Sequence, residues 1–372
     1  MRLITDTDLE AIALGSAVYG TGGGGDPYIG KLLAQNAMRQ HGPVQLVGLD
    51  ELADGDLVVP VAMAGAPTVL LEKMAEVEPL IAALRALERL LGRPAKAVMS
   101  IEVGGLNSTI PFCVASALGL PLVDGDTMGR AFPEIQMTLC TLAGLTASPL
   151  AMADEKGNAL VVQAVDNQHT ERFVRSILMD MGGSTYLAIY PMSVAQARGA
   201  IVPGTITLAQ QAGRTLFEAR ARHLDPVAEL VRVTGGFDLF RGKVLDVQRS
   251  VDGRFSKGRA ELRGVDEHSG DSLELLFQNE FLLARRGDAV LCSTPDLIVT
   301  VDLETGEPVT AEQMRYGLRV AVLGLPCVSA WRTAAAQALV GPRCFGYDFD
   351  YQPVEQAVMD REPTPADASG AA

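Results

Sequence analysis

The chain has 372 residues, of which 48% are hydrophobic and 20% charged, and its formal net charge is −14. This composition is typical of a folded globular protein, and the length suits two domains. The excess of acidic residues argues against nucleic acid and anionic membranes as partners, because their phosphate groups would be repelled.

The cysteines and the first residues predict a cytoplasmic protein. The five cysteines are widely spread and form no C-x-x-C pair, which favours buried free thiols in a reducing compartment. The start, "MRLITDTDLE", lacks the charged and apolar regions of a signal peptide. No apolar run approaches the roughly 20 residues that a membrane span needs.

The chain begins with two predicted helices joined by a glycine-rich loop, "YGTGGGGDPYIGK" (Tyr19–Lys31). Apolar residues at helical spacing predict the first helix, with Thr5 or Thr7 as its N-cap. After the glycines, Asp26 and Pro27 have the pattern of an N-cap followed by the first helical residue. The glycine run therefore follows one helix and leads into another.

Strands and helices then alternate, which predicts βαβ units and a largely parallel sheet. The predicted strands are "DLVVPVAM", "AKAVMSIE" (ending at Glu102), "LPLVDGD" and "NALVVQAV". The predicted helices are one through the 70s, one from about Val77 to Leu91, "IPFCVASALG" with Asn107 or Ser108 as its cap, and "NQHTERFVRSILMDMGG", closed by Gly182 and Gly183.

From about Gly235, short β-rich runs follow one another, separated by Gly, Asp and Ser turns, which predicts a small antiparallel sheet or barrel. The predicted fold class is α/β. An N-terminal α/β/α layered domain with a mainly parallel sheet spans residues 1–168, and a β-rich, barrel-like domain spans 169–355. We expect residues 356–372 to be a disordered tail.

Polar side chains concentrate where the predicted parallel strands end, which is the usual ligand site of an open α/β sheet. Glu102 ends one strand, and Asp124 and Asp126 end the next. The loop "TMGRAFPEIQM" adds Arg130, Glu134 and Gln136. Such carboxylates either bind a divalent cation or move protons. The alternatives are that the two aspartates cap or turn the chain and that the arginine pairs structurally with Glu134.

Other motifs are weaker. No histidine pair has the spacing of a zinc hydrolase, and no G-x-S-x-G motif occurs. His169, near a predicted helix start, is the best ligand or acid–base histidine, and the alternative is a partly buried residue of the helix cap.

The glycine run does not fit a nucleotide site. Gly25–Lys31 matches G-x-x-x-x-G-K, but Leu32 follows where Ser or Thr would hold magnesium, Pro27 lacks an N–H, and the run follows a helix. What remains is a nest of backbone N–H groups suited to an anionic or carbonyl oxygen.

Several of these motifs together resemble the S-methyl-thiohydantoin desulfurase family. They are "GTGGGGDP", "IEVGGLNST", "LPLVDGDTMGRAFPEIQM", "TPDLIVTVD", "YGLRVAVLGLP" and "GPRCFGYD", which run from about Thr5 to Tyr351. The resemblance implies two domains, an α/β one and a β-rich one. It also implies a hydrolase that removes sulfur from C2 of a thiohydantoin or its S-methyl derivative, compounds of ergothioneine-type catabolism, to give a hydantoin.

The residues and the resemblance together define the expected site. Asp124 or Glu102 activates water, and a divalent metal, if one is used, is held by Asp126 and Glu134. The predicted catalytic residues are Glu102, Asp124, Asp126, Arg130 and Glu134. The predicted substrate-binding residues are Gly23, Gly24, Gly25, Asp26, Gly104, Gly105, Asn107, Gln136 and His169.

Two rival functions stay open: a hydantoinase or oxoprolinase-type ring amidohydrolase, and a non-catalytic ligand-binding subunit of such an enzyme. In each case the expected partner is a small molecule. Apolar strands such as "DLIVTVD" need cover, and we therefore also expect a homo-oligomer.

Overall fold

The structure, a computed structural model, describes residues 1–65, 69, 76–252 and 255–360. The chain divides into two compact units, Met1–Phe217 and Glu218–Ala372. Of the predicted helix through the 70s, residues 70–75 lie outside the described residues. Of the predicted tail, residues 361–372 also lie outside them, whereas its first residues continue a helix that ends at Met359.

The sheet of the first unit is parallel at its centre and antiparallel on both sides. Its strands run in the order β1-β2-β5-β4-β3-β9-β7-β8, with β10 beside β3. The pairs β2–β5, β5–β4 and β4–β3 are parallel, so the predicted parallel sheet is confirmed. The strands of this sheet are β1 (Arg2–Ile4), β2 (Val44–Val47), β3 (Leu57–Gly65), β4 (Ala97–Ser100), β5 (Leu122–Val123), β7 (Leu150–Ala153), β8 (Ala159–Val162), β9 (Ser184–Ala188) and β10 (Met192–Ser193). A separate two-stranded sheet pairs β6 (Gly125–Asp126) with β11 (Val202–Pro203).

Helices cover this sheet with their apolar faces. Leu80, Ala83, Leu84 and Leu87 recur at helical spacing on one helix and are all buried in the core. The described helices are α1 (Asp8–Tyr19), α2 (Pro27–His41), α3 (Glu78–Leu91), α4 (Ile110–Leu118), α5 (Leu139–Leu142), α6 (Asn167–Asp180), α7 (Val194–Ala197), α8 (Thr205–Ala221), α9 (Pro226–Thr234), α10 (Ala334–Val340) and α11 (Val354–Met359).

The predicted helix caps are confirmed in part. Asp26 caps α2 by accepting the N–H of Tyr28 at 2.8 Å. The predicted cap of α4 is wrong, because Thr109 precedes that helix and its side chain makes no capping bond. Ser108 instead donates to the carbonyl of Gly105 at 2.6 Å. The side chain of Asn107 forms hydrogen bonds with Met63 and Glu102 instead.

The second unit contains an antiparallel sheet that curls into a half-barrel, as the sequence predicts. Its order is β16-β15-β14-β13-β12-β18-β17, and the predicted last strand, β18, therefore lies inside this sheet. The strands are β12 (Phe237–Asp252), β13 (Phe255–Gly264), β14 (Ser272–Gln278), β15 (Glu280–Arg286), β16 (Ala289–Ser293), β17 (Leu297–Asp302) and β18 (Arg319–Leu325).

The described part of the chain includes no helix with both the length and the apolar character that crossing a membrane requires.

Candidate functional site

Glu102 lies just after β4 and is held from two sides. Its carboxyl oxygen Oε1 accepts a hydrogen bond from Asn107 Nδ2 at 2.8 Å, and the backbone N–H of Phe132 donates to the same carboxyl group. Asn107 is itself fixed, because its Oδ1 accepts the N–H of Met63 at 2.8 Å and its Nδ2 also donates to the Met63 carbonyl at 3.2 Å. The end of β3 thus orients Glu102 through one asparagine.

The surroundings of Glu102 bring the pKa of its carboxyl group close to neutral pH. The residue is 6% exposed, and burial raises the pKa of its carboxyl from 4.5 to about 7. The hydrogen bonds from Asn107 and Phe132 and the charge of Arg130 oppose this rise. A carboxyl group with such a pKa exchanges its proton readily at neutral pH, as a general acid or base must.

Asp126 is a second buried carboxyl group in the same neighbourhood. One of its oxygens accepts the N–H of Val103, and the other accepts the N–H of Gly129 at 2.8 Å and of Met128 at 3.4 Å. Burial raises its pKa from 3.8 to about 8, and the nearby charge of Glu102 adds to the rise. Backbone N–H groups thus donate to both Asp126 oxygens and hold this carboxyl group in place.

Arg130 interacts electrostatically with Glu102 and forms a hydrogen bond with the glycine run. It is fully buried, its Nε donates to the Ala131 carbonyl, and its guanidinium lies 4.4 Å from the centre of the Phe132 ring. Its Nη2 donates to Thr21 Oγ1 at 2.9 Å. A buried positive charge beside Glu102 can stabilise negative charge that develops during a reaction.

The glycine run (Gly20–Gly25) packs directly against the loop that follows Glu102. The N–H of Leu106 donates to the Gly24 carbonyl at 2.9 Å. A Cβ on Gly24 would lie 2.8 Å from the Gly104 backbone, and one on Gly105 would lie 2.3 Å from the Gly24 oxygen. Both residues also have positive φ, 77° and 56°. Glycine is required on both sides because the two backbones touch.

Asp124 lies at the start of a helix. Its carboxylate accepts the N–H groups of Ile206 and Thr207, each at 3.1 Å, and the Thr207 hydroxyl. It therefore caps α8 and lines a separate cleft of about 560 Å³, to which Asp50 and Arg198 also contribute. Two residues apart in sequence, Asp124 and Asp126 thus make contacts with different parts of the first unit.

Glu134 and Gln136 contact each other, since Gln136 Nε2 donates to the Glu134 carboxylate. Their segment is fixed through Ile135, whose carbonyl accepts the Tyr190 hydroxyl at 2.9 Å and whose N–H donates to Glu171 at 3.1 Å. The segment therefore has a defined conformation.

His169 lies near the start of α6, where its side chain is 45% exposed. Its Nδ1 is 2.9 Å from the carboxylate of Asp166, which is also the N-cap of the helix and accepts the His169 N–H. These contacts make His169 part of the helix cap, and none of them involves Glu102.

The predicted metal role of Asp126 and Glu134 stays a prediction. Among the residues that the structure describes, no group of three or more His, Cys, Asp or Glu side chains could hold a metal ion. Three contributors to the site were not predicted from the sequence: Thr21, the N–H of Phe132 and the positioning pair Tyr190 and Glu171. Of these, only Thr21 could have been identified from the sequence, because it is the one residue of the glycine run that has a side chain.

The capping geometry predicts the effects of changing Asp124. We expect Asp124→Ala to lower the free energy of unfolding by about 0.5–2 kcal/mol, because α8 loses its cap. Asp124→Asn keeps a capping oxygen and is expected to retain both stability and activity. Chemical denaturation and turnover assays measure the two effects, with Asp50→Ala, from the same cleft, as the control. Loss of turnover in Asp124→Asn without unfolding would instead identify Asp124 as the catalytic base.

Comparison with known proteins covers nearly the whole chain. Family models described as S-Me-THD-like, N-terminal domain, and S-Me-THD-like, C-terminal domain, match residues 7–164 and 165–354. An X-ray crystal structure of a protein from Chromobacterium violaceum, a structural genomics target, is similar, with 27% sequence identity and a TM-score of 0.81. The match covers 95% of this chain and 100% of that one. No curated protein matches the chain.

Proposed function

Because the chain belongs to the S-Me-THD-like family, we propose that it is a hydrolase that removes sulfur from C2 of a thiohydantoin or an S-methyl-thiohydantoin and leaves a hydantoin. The observation that carries this proposal is the buried carboxyl group of Glu102, whose pKa is raised to about 7 and which is oriented by Asn107. Hydrolysis at a ring carbon needs a base of this kind for the attacking water.

In the proposed reaction, ionised Glu102 takes a proton from water as the water oxygen forms a bond to C2. Negative charge develops on the ring, and Arg130 stabilises it electrostatically from its buried position. The C2–S bond then breaks, and protonated Glu102 returns its proton to the departing sulfur. The second proton of the water leaves the C2 hydroxyl as the carbonyl forms, and it passes to the sulfide from a thiohydantoin or to the ring nitrogen from an S-methyl derivative. A thiohydantoin yields hydrogen sulfide and an S-methyl derivative yields methanethiol, with one water consumed in each case.

The glycine run forms a wall of the proposed site. Gly22, Gly24 and Gly25 have positive φ, a backbone conformation that occurs in anion-binding nests of N–H groups. Thr21 ties the run to Arg130. The run is therefore in a position to hold a ring oxygen or nitrogen while Glu102 acts at C2.

A panel of thiohydantoins and S-methyl-thiohydantoins tests this function. We expect sulfide or methanethiol to appear together with the matching hydantoin, detected by a thiol reagent and by mass spectrometry. Parallel reactions with a chelator test the metal prediction. Ring opening with sulfur retained would identify a ring amidohydrolase, and saturable binding without any product would identify a ligand-binding subunit; either result contradicts the proposal.

A further inference from the structure

One buried acceptor in the segment that follows Arg130 is unsatisfied. Within the described residues, the Oε1 atom of Gln136 is buried and has no hydrogen-bond partner, and the residue as a whole is only 8% exposed. Leaving a buried acceptor without a donor costs free energy. A ligand that supplies a donor would remove that cost.

The orientation of the Gln136 amide follows from its neighbour. Nε2 donates to the Glu134 carboxylate, and the opposite orientation would place the amide oxygen against carboxylate oxygens. The backbone on either side is fixed as well, since the N–H of Met137 donates to the Glu134 carbonyl at 3.0 Å and that of Thr138 to the Gln136 carbonyl at 2.8 Å. Gln136 therefore offers an acceptor and not a donor.

The segment that carries Gln136 begins and ends close to Asp126 and to Ile101, the residue before Glu102. Thr127 follows Asp126, and both its N–H and its Oγ1 donate to the carbonyl of Ile101, the residue before Glu102. The chain returns to this point when the N–H of Leu139 donates to the Thr127 carbonyl at 2.8 Å. The same segment supplies the Phe132 N–H that contacts Glu102. Gln136 lies three residues before Leu139, where the segment ends.

We propose that Gln136 Oε1 accepts a hydrogen bond from a ring N–H of the substrate and thereby makes the site selective for rings that are unsubstituted at that nitrogen. The nature of the ring rests on the proposed function, whose substrates and hydantoin product carry ring N–H groups. Protein atoms cover Oε1 in the present conformation, so the bond forms after the side chain or its cover moves. Gln136 is thus a specificity-determining residue, whereas Glu102 performs the chemistry.

Calorimetric binding of hydantoin, 1-methylhydantoin and 3-methylhydantoin tests this inference without requiring turnover. We expect wild-type protein to bind one methylated ring at least roughly 10-fold more weakly than hydantoin. Gln136→Met, which removes the acceptor at similar size, should weaken hydantoin binding by a comparable factor and leave the disfavoured methylated ring unaffected. The selectivity between the two rings should therefore disappear.

The matched control is Gln337→Met in the second unit, since Gln337 Oε1 is likewise buried without a partner among the described residues. Hydantoin binding should be unchanged in that variant. Equal binding of all three rings by the wild type, binding of none, or full selectivity in Gln136→Met would each overturn the inference. If Gln136→Met unfolds, Gln136→Leu replaces it, and unfolding of both would show a structural role instead. Selective binding without sulfur release would refute the proposed reaction alone.

Discussion

We expect Glu102→Gln to lower kcat/KM for a thiohydantoin substrate by about 10²- to 10⁴-fold, the usual contribution of a general base. Glutamine has the size of glutamate and keeps one carbonyl oxygen for Asn107, but it cannot take a proton from water. The thermal unfolding profile should keep its wild-type shape, which separates lost chemistry from lost folding. Sulfide or methanethiol release measures the effect.

Glu88→Gln is the matched control for this change. Glu88 is also a buried glutamate of the first unit, and it too accepts one backbone N–H, from Ala95 at 2.8 Å, and one side-chain N–H, from Arg85 at 2.7 Å. We expect its replacement to leave kcat/KM unchanged. Wild-type activity in Glu102→Gln, or an equal loss in both variants, would remove Glu102 from the mechanism.

The raised pKa of Glu102 also predicts opposite effects of pH on activity and stability. Activity requires ionised Glu102, so kcat/KM should begin to decrease when the pH drops below about 7. With the ordinary glutamate pKa of 4.5, the decrease would begin only below that pH. Stability changes the other way. Between these two values the folded state keeps a proton that the unfolded state has lost, so stability falls as pH rises through this window. The melting temperature should therefore fall less steeply with pH in Glu102→Gln than in the wild type.

Periodicity in the sequence was sufficient for the long elements of the fold. Helix α2 and its Asp26 cap, the buried strands β3 and β4, and the antiparallel sheet of the second unit all have strong local patterns. The antiparallel strands that flank the parallel centre of the first sheet are different. β1 and β9 pair with β2 and β3, which are distant in sequence, and no local pattern specifies such a partner.

The site shows the same difference between features with a local sequence pattern and features that depend on distant residues. Glu102, Asp126 and Arg130 could be predicted because strand ends and glycine-flanked carboxylates have a recognisable chemistry. The role of Asp124 depends on where the N-terminus of α8 lies, about eighty residues later in the chain. The cap expected from Asn107 failed for a related reason, because the end of β3 and Glu102 provide stronger partners for its amide than the next helix does.

Gly15 and Gly213 are the positions where we expect substitution to damage the fold most. They lie in the interiors of α1 and α8, where helix propensity alone predicts that alanine would stabilise the protein by about 1 kcal/mol each. Packing predicts the opposite. A Cβ on Gly15 would lie 1.7 Å from the Ala209 carbonyl oxygen, and one on Gly213 would lie 1.9 Å from that of Ala11. Both obstacles are backbone atoms of the facing helix, which cannot rotate away.

We therefore expect Gly213→Ala to be destabilising overall by about 1–3 kcal/mol, as in other overpacked cores, and Gly213→Leu to prevent stable folding. Chemical denaturation measures the loss. Gly199→Ala is the control, because a Cβ there meets no atom within 4 Å and should change stability by less than about 0.5 kcal/mol. Increased stability of Gly213→Ala would show that the two helices are not in backbone contact.

The helix contact at Gly213 also bears on activity, because each helix leads to a feature described above. Helix α1 ends at Tyr19, immediately before the glycine run, and α8 begins at the residues that Asp124 caps. Forcing α1 away from α8 moves the run relative to Arg130, whose hydrogen bond to Thr21 is buried. Turnover in Gly213→Ala should consequently fall by more than the unfolded fraction explains, and a loss equal to that fraction would show that the run is positioned independently of α1.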